Sequence, residues 1–437
     1  MKARLLAWSL LLALPGLLAA QYKPWYNHYN FAYGAKARAM GNAFAAVADD
    51  LTAAFWNPAG LAFQRSPEFY LSYRNSSQSH DYDLQSRELG NETRLYNYNF
   101  SSKLNQIDFF SVSAPAGIWK RQWTFALSYY RYIPYGFKGS AREMLTSVRD
   151  RANPMRTTVT FKGSEGMDVL AFSAAAAVSE YFALGCTLQQ FFGSGSQDLG
   201  RLDADGEFHS QYTEKLQGRN LIAGLLFSPF TFLRLGFTWH SGLRSRFDSA
   251  LLTWEIDKSG NGIDPQEKSC VARVLIPQQA ALGALLRPAR WLDLSAEYSR
   301  LDWGKGSIEN YYDAGAVLPY PQKNDWDQKQ KNIHNLRFGA EVRLPLRRWQ
   351  LHLRGGWSAE RQLYGDAEDQ AVIVRGFTAG AGCEFSRNLM LEVAFQKQIA
   401  DWPEQGFYFR APDVVSHFHA NEFILSLTYR FGQMFKE

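Results

Sequence analysis

Apolar and polar residues alternate with a period of two in many stretches of this 437-residue chain. In residues 389–396, Leu389, Leu391, Val393 and Phe395 share one face, and Met390, Glu392, Ala394 and Gln396 share the other. Residues 349–358 set Trp349, Leu351, Leu353, Gly355 and Trp357 against Gln350, His352, Arg354, Gly356 and Ser358. Near the end, Phe423, Leu425, Leu427, Tyr429 and Phe431 alternate with Glu422, Ile424, Ser426, Thr428 and Arg430. This is the pattern of a strand with one apolar and one polar face. It predicts fourteen strands, near 68–76, 106–114, 122–133, 168–178, 181–192, 216–228, 232–242, 276–287, 291–301, 333–345, 349–359, 372–385, 388–399 and 421–431.

The connections are segregated by length. Strands two and three, four and five, and each later even–odd pair are joined by a few turn-forming residues, such as SPFT at 228–231, RPAR at 287–290 and SRN at 386–388. Most odd-to-even connections are long: 77–104, 134–167, 243–275, 302–332 and 400–420. A soluble sandwich has no reason to sort its loops this way. An even strand count with short turns at one end and long loops at the other is the signature of a bacterial outer-membrane barrel. The apolar faces end in rings such as Trp349, Trp357, Tyr429 and Phe431, as interface girdles require. Closure removes the sheet edge that lipid would not tolerate. The expected fold is all-β: a transmembrane antiparallel β-barrel of about fourteen strands over residues 66–437, with long extracellular loops.

The N-terminus supports export. Met1-Lys2-Ala3-Arg4 is a positive start, Leu5 to Leu18 is apolar, and small residues precede Gln21, so residues 1–20 read as a signal peptide. That apolar run is short of the ~20 residues a spanning helix needs. The net charge of +5 is small for this length, and no basic run with interleaved stacking residues suggests nucleic acid. Cys186, Cys270 and Cys383 are too far apart for a disulfide framework or a zinc spacing. No Gly-x-Ser-x-Gly, phosphate-cradling loop or triad order points to an enzyme. No cofactor or metal is expected.

Residues 21–65 do not alternate. Ala37, Met40, Phe44 and Val47 fall at roughly helical spacing, Asp49 or Asp50 can cap a second short helix, and Pro58 stops it at Asn57. Gly34, Gly41, Gly60 and many alanines keep the segment thin enough for a barrel lumen, although a periplasmic arm or a helix under the rim would suit it equally. The run GAKARAMGNAFAAVADDLTAAFWNPAGLAF (34–63) resembles the N-terminal signature of the FadL-type outer-membrane transport family. The resemblance rests on Gly34, Ala39, Gly41, Ala48-Asp49-Asp50 and Asn57-Pro58-Ala59. It implies a small helical hatch in the lumen of a fourteen-stranded barrel. It also implies passive uptake of hydrophobic compounds such as long-chain fatty acids, captured by outer loops and released sideways beside a kink in the third strand. The sequence AFWNPAGLA, with Gly60, is close to that of PorV-like relatives, which implies as an alternative a partner or shuttle in protein secretion. The expected partners are outer-membrane lipid and lipopolysaccharide, a hydrophobic small molecule and, on the alternative, a secreted protein. An outer-membrane phospholipase would need a Ser/His pair on the outer wall, and none is evident.

Pro134 cannot donate to a ladder and Gly136 relaxes the backbone, so the third strand either breaks there or simply ends and opens the 134–167 connection. Pro134 stands at the strand's end, which favours the simpler reading. Leu251, Leu252 and Trp254, in a long outer connection, suit either ligand capture or packing of an outer hairpin. Arg234, Arg337, Arg343 and Arg354 fall on inward faces and are candidate lumen cations for a carboxylate ligand. Asp293, Glu297, Glu341, Glu392 and Glu422 fall there too, and a ladder of paired charges accounts for most of them. The stretch 257–267, with Asp257, Ser259, Asn261, Gly262 and Asp264, resembles a calcium loop, but Lys268 stands where the twelfth-position glutamate belongs.

Overall fold

The structure, a computed structural model, describes residues 32–82, 86–89, 92–118, 121–136, 138–147, 155–203, 206–257, 262–302, 305–312, 332–365, 371–403 and 415–432. The expected signal peptide and the start of the front segment lie outside these residues.

The strand segments assemble into the fourteen staves of one closed antiparallel barrel. The first seven are β1 (Glu68–Tyr82, continued at Ser86–Leu89), β2 (Glu92–Ile118), β3 (Arg121–Pro134 and Lys138–Ser147), β4 (Met155–Ala177), β5 (Phe182–Asp203), β6 (Gly206–Phe230) and β7 (Leu233–His240 and Leu243–Asp257). The rest are β8 (Gly262–Ile276 and Gln279–Ala289), β9 (Leu292–Leu301 and Ser307–Tyr312), β10 (Ile333–Pro345), β11 (Gln350–Gly365), β12 (Ala371–Glu384), β13 (Leu389–Pro403) and β14 (Val415–Arg430). Each stave pairs with its chain neighbours, and β1 closes on β14, with Glu68 opposite Arg430 and Tyr82 opposite Ser416.

Alternation sorts the two faces as the sequence requires. On β13, Val393 and Phe395 are exposed while Glu392, Ala394 and Gln396 are buried; on β14, Phe423 and Leu425 are exposed while Ile424 and Ser426 are buried. The outward apolar belt ends at the short turns in Phe230, Phe232, Trp291, Trp349, Phe385 and Phe431. An apolar belt edged by aromatic rings on a closed sheet is a membrane-spanning surface.

Several connections expected as loops are strand instead. Backbone pairing continues through most of 77–104, through 138–147 and from Met155, and through Leu243–Asp257 and Gly262–Ile276. Staves β5 and β6 run 22 and 25 residues, whereas a spanning strand needs only about 9–11. Beyond the lipid the outer face meets water, so a strand there needs no apolar outer face and shows no outward hydrophobic period, even where its inner face is buried, as at Leu243 and Phe247. Its neighbour's backbone defines it.

The front segment lies inside. From Ala32 to Gln64 it is almost wholly buried against the inward faces of the staves. It forms helix α1 (Ala35–Ala39), helix α2 (Ala53–Trp56) and a 3-10 helix (Pro58–Phe63). The helical periodicity over 34–50 yields only one short helix, because the wall satisfies backbone groups that a longer helix would satisfy internally. The amide of Ala35 donates to Ser426 Oγ (2.9 Å), that of Gly41 to Thr378 Oγ1 (3.1 Å), and those of Phe44 and Ala45 to the Glu297 carboxylate (2.9 and 2.7 Å). The second helix is preceded by Thr52 rather than by a capping carboxylate. Asp50 accepts from the Thr52 amide at 2.8 Å, and Asp49 pairs with Lys36 at 2.7 Å.

Asn57 ties this segment together. Its side-chain oxygen accepts from the Ala59 amide (3.2 Å), while its nitrogen donates to the carbonyls of Ala45 (2.7 Å) and of Leu225 on β6 (3.1 Å). Pro58 follows as the first residue of the 3-10 helix, where a missing N–H costs nothing. The plug's backbone then runs so close to the wall that side chains are excluded. At Gly356 a Cβ would collide with the backbone of Gly41, which itself has φ of +63°. Gly355, on the opposite face of the same strand, has only one atom within 4 Å.

Asp50 makes the seating depend on pH. Burial first, and then the charge of Glu392, push its carboxyl up to about 7, against the Thr52 hydrogen bond, which lowers it. A displaced plug would return the group to water, where a carboxyl titrates near about 4. The seated state therefore holds the proton more tightly. The contribution of Asp50 to seating is full below about 4, weakens as pH rises from about 4 to about 7, and levels off above that. Protease access to the plug should rise over this window, and Asp50→Asn should flatten the rise. Separately, Gly356→Ala should weaken seating by about 1–3 kcal/mol, read as increased protease access or ion conductance, while Gly355→Ala leaves both unchanged.

Candidate functional site

The third stave is broken. From Ile118 back to Phe109, β2 pairs with Arg121 through Tyr130; from Lys103 back to Arg94, it pairs with Lys138 through Ser147. No rung joins Leu104–Asp108 to the stretch from Arg131 to Gly136. On its other side β3 stays with β4 as far as Pro134, opposite Gly166, through a bulge between Arg131 and Ile133. The chain thus leaves β2 while still held by β4. The interruptions in β7 and β8 differ: they fall side by side at Ser241–Gly242 and Pro277–Gln278, and pairing resumes at once.

Pro134 and Gly136 flank the residue that makes the break inward. Tyr135 is fully buried, and its hydroxyl donates to the Glu214 carboxylate on β6. Its ring lies over Gly195 on β5, where any Cβ would strike it. The Tyr135 amide donates to the Glu165 carbonyl at 3.3 Å. Arg131 secures the bulge by pairing with Asp168 and donating to the Glu165 carbonyl at 2.6 Å.

An aromatic cluster fills the lumen behind the break. Tyr33 of the plug meets Phe55 and Tyr130, each with ring centroids at 4.8 Å, and Phe109 at 5.5 Å. Phe109 stacks on Tyr130 at 5.2 Å, and Tyr132 meets Phe191 edge-on at 4.7 Å. Ile133, Met167 and Val169 complete a wholly buried apolar lining. The Tyr33 hydroxyl donates to the carbonyl of Arg131, the first β3 residue beyond its last rung with β2, at 3.0 Å. The plug thus holds a backbone group at the edge of the break.

The inward arginines are mostly neutralised. Arg337 bonds Glu297 (2.7 Å) and Glu360 (3.3 Å). Arg354 bonds Glu341 (2.6 Å) and Glu392 (2.7 Å), and Arg343 bonds Glu341 (2.9 Å) and Asp293. Lys36 of the plug joins this network 3.5 Å from Glu341, and Arg38 pairs with Glu422 at 2.8 Å. Arg234 stands apart, near the short turns. Its guanidinium lies 5.1 Å from the Phe63 ring centre and faces a cavity of about 330 Å³ shared with Asp49, Arg65, Glu68 and Arg430.

Leu251, Leu252 and Trp254 are not on a loop but in strand β7, and they do not converge. Alternation puts Leu251 on the lumen face with Phe247 and Ser249, and Leu252 and Trp254 on the outer face, where Trp254 stacks on His209 at 5.3 Å. Of the calcium-like stretch, residues 258–261 lie outside the described residues, and from Gly262 the chain is strand. Among the described residues no group of carboxylates, histidines and cysteines could hold a metal. Sequence reasoning missed Tyr33, Tyr135, Phe109, Phe191 and Glu214. One signal was available: YYRYIPY at 129–135 is far richer in tyrosine than a strand end requires.

No protein-family model and no curated protein matches the chain. Solved structures do. A FadL homologue of Pseudomonas aeruginosa matches with a TM-score of 0.60 at 16% identity, over 90% of this chain and 98% of that one. The Ralstonia pickettii toluene transporter TbuX matches at 0.58 and 17%, over 92% and 99%. The P. putida toluene transporter TodX matches at 0.59 and 12%, over 92% and 99%. These likenesses establish the fold alone: a closed fourteen-stranded β-barrel like that of the FadL homologue.

Proposed function

We propose that this protein is a passive outer-membrane channel that takes up hydrophobic small molecules and releases them sideways through the β2–β3 break. The observation that carries this reading is the coincidence of missing rungs between Leu104–Asp108 and β3 with a buried aromatic lining directly behind them. Straight passage is unfavourable for an apolar solute, because the lumen beyond the plug is lined by Asp49, Glu68, Glu341, Arg343 and Arg430. Sideways exit returns the solute to an apolar phase. The lining side chains touch one another, so passage requires Tyr33 and its neighbours to move.

The favoured cargo is uncharged and aromatic-sized. Arg337, Arg343 and Arg354 are each engaged by carboxylates, so a fatty-acid headgroup would have to displace an existing ion pair. The aromatic lining offers edge-to-face and stacked contacts worth about 0.5–1.5 kcal/mol per ring pair. Two of the matched structures are described as toluene transporters, in keeping with such a cargo.

Barrels reconstituted in vesicles should admit a labelled alkylbenzene faster than labelled oleate. Entry of neither compound would overturn the channel reading. The tip of the Leu104 side chain comes within 3.5 Å of where a Cβ at position 136 would lie, so a short reducible thiol cross-linker between Leu104→Cys and Gly136→Cys should stop entry, and its reduction should restore it. Unchanged entry in the cross-linked form would refute sideways exit. Tyr33→Phe, lacking the bond to Arg131, should speed entry by up to roughly fivefold, since such a bond contributes about 1 kcal/mol.

A further inference from the structure

The periplasmic end of the barrel carries an arc of arginines that the lumen chemistry does not use. Three consecutive short turns, β8–β9, β10–β11 and β12–β13, present Arg290, Arg347, Arg348 and Arg387, all exposed. None of the four has a carboxylate partner among the described residues. The nearby acidic groups are already engaged: Asp293 by Arg287 (3.6 Å) and Arg343, and Glu384 by Arg430 (2.9 Å). The β4–β5 turn instead carries Glu180, and the β6–β7 turn, 228–232, carries no charge.

Each of these arginines sits beside an outward-facing aromatic ring. Trp291 follows Arg290 and is 53% exposed; Trp349 follows Arg348 and is 50% exposed; Phe385 lies two residues before Arg387. The Trp349 and Phe385 rings meet edge-on at 5.6 Å, which joins two of the turns into one surface. Aromatic rings at the end of an apolar belt lie at the boundary between acyl chains and headgroups. Guanidinium groups on exposed turn residues one or two positions away therefore come to headgroup height.

We infer that this arc binds anionic glycerophospholipid headgroups of the periplasmic leaflet. Guanidinium pairs with phosphate oxygens in a bidentate fork, and it keeps its charge at any relevant pH. A cluster of basic side chains at a membrane surface favours anionic over zwitterionic lipid, an effect that salt weakens. The adjacent rings favour a lipid over an acidic protein, because a protein docking from the periplasm would meet the arginines without needing the lipid-facing tryptophans.

The test is lipid retention. Wild-type protein and a variant carrying R290Q, R347Q, R348Q and R387Q are placed in nanodiscs of mixed phosphatidylglycerol and phosphatidylcholine, released, and weighed by native mass spectrometry. Wild type should retain phosphatidylglycerol over phosphatidylcholine by about tenfold or more, and added salt and the fourfold substitution should each erase that preference. Equal retention by both proteins would overturn the inference, as would tighter binding of a polyglutamate peptide than of phosphatidylglycerol vesicles. If the fourfold variant fails to fold, R290Q and R387Q alone should each lower the preference, and W291A with W349A should lower it with every charge intact. No change in these would equally refute it.

Discussion

Lipid offers no hydrogen bonds, so every backbone group in the wall must find a partner within the sheet. The pairing of β1 with β14 from Glu68–Arg430 to Tyr82–Ser416 removes the two edges that would otherwise remain. The rest depends on this closure. It gives the chain an inside, and that inside is what the front segment fills. It also makes a lost run of rungs, as between β2 and β3, a feature that must be compensated locally. Arg131 and Tyr33 supply the compensation, one from the wall and one from the plug.

The lumen is organised by charge below and by aromatic contact beside the break. Ion pairs among Lys36, Asp49, Glu341, Arg343, Arg354 and Glu392 lock the plug to β10, β11 and β13. Buried pairs of this kind add little net stability, since desolvation offsets attraction, but breaking one leaves an uncompensated charge. They resist a shift of the plug on that side. On the opposite side, Tyr33, Phe55, Phe109 and Tyr130 make contacts that can slide, because dispersion is not directional. The plug is thus held by ion pairs on one flank and by aromatic packing with the Tyr33–Arg131 hydrogen bond on the other.

How much was legible depended on whether a residue's role was set by its own face or by a distant neighbour. Alternation in β11, β13 and β14 gave their faces correctly because lipid on one side and the lumen on the other impose a period of two. Arg337, Arg343 and Arg354 were expected inward on the same period, and each meets a carboxylate in the structure. The membrane-distal parts of β1, β2, β7 and β8 were mistaken for loops, because without lipid against the outer face nothing imposes that period. Leu251, Leu252 and Trp254 were grouped by nearness in sequence, whereas a strand sends neighbouring side chains to opposite faces. Pro134 and Gly136 were visible as strand breakers, but whether the strand ended or resumed depended on Lys138–Ser147 finding β2 again.

The sequence by itself determined that the chain closes into a β-barrel, since the alternating faces and the sorted turn lengths admit little else. It also determined that a thin, proline-stopped segment precedes the first strand. Only the tertiary structure decided where that segment goes, because its backbone amides are satisfied by Ser426, Thr378 and Glu297, residues more than two hundred positions away. It likewise decided that Tyr135 turns inward to Glu214 and that Tyr33 backs the break. A side chain's own face follows from local period, but which partner it meets across a lumen is fixed only when the wall has closed.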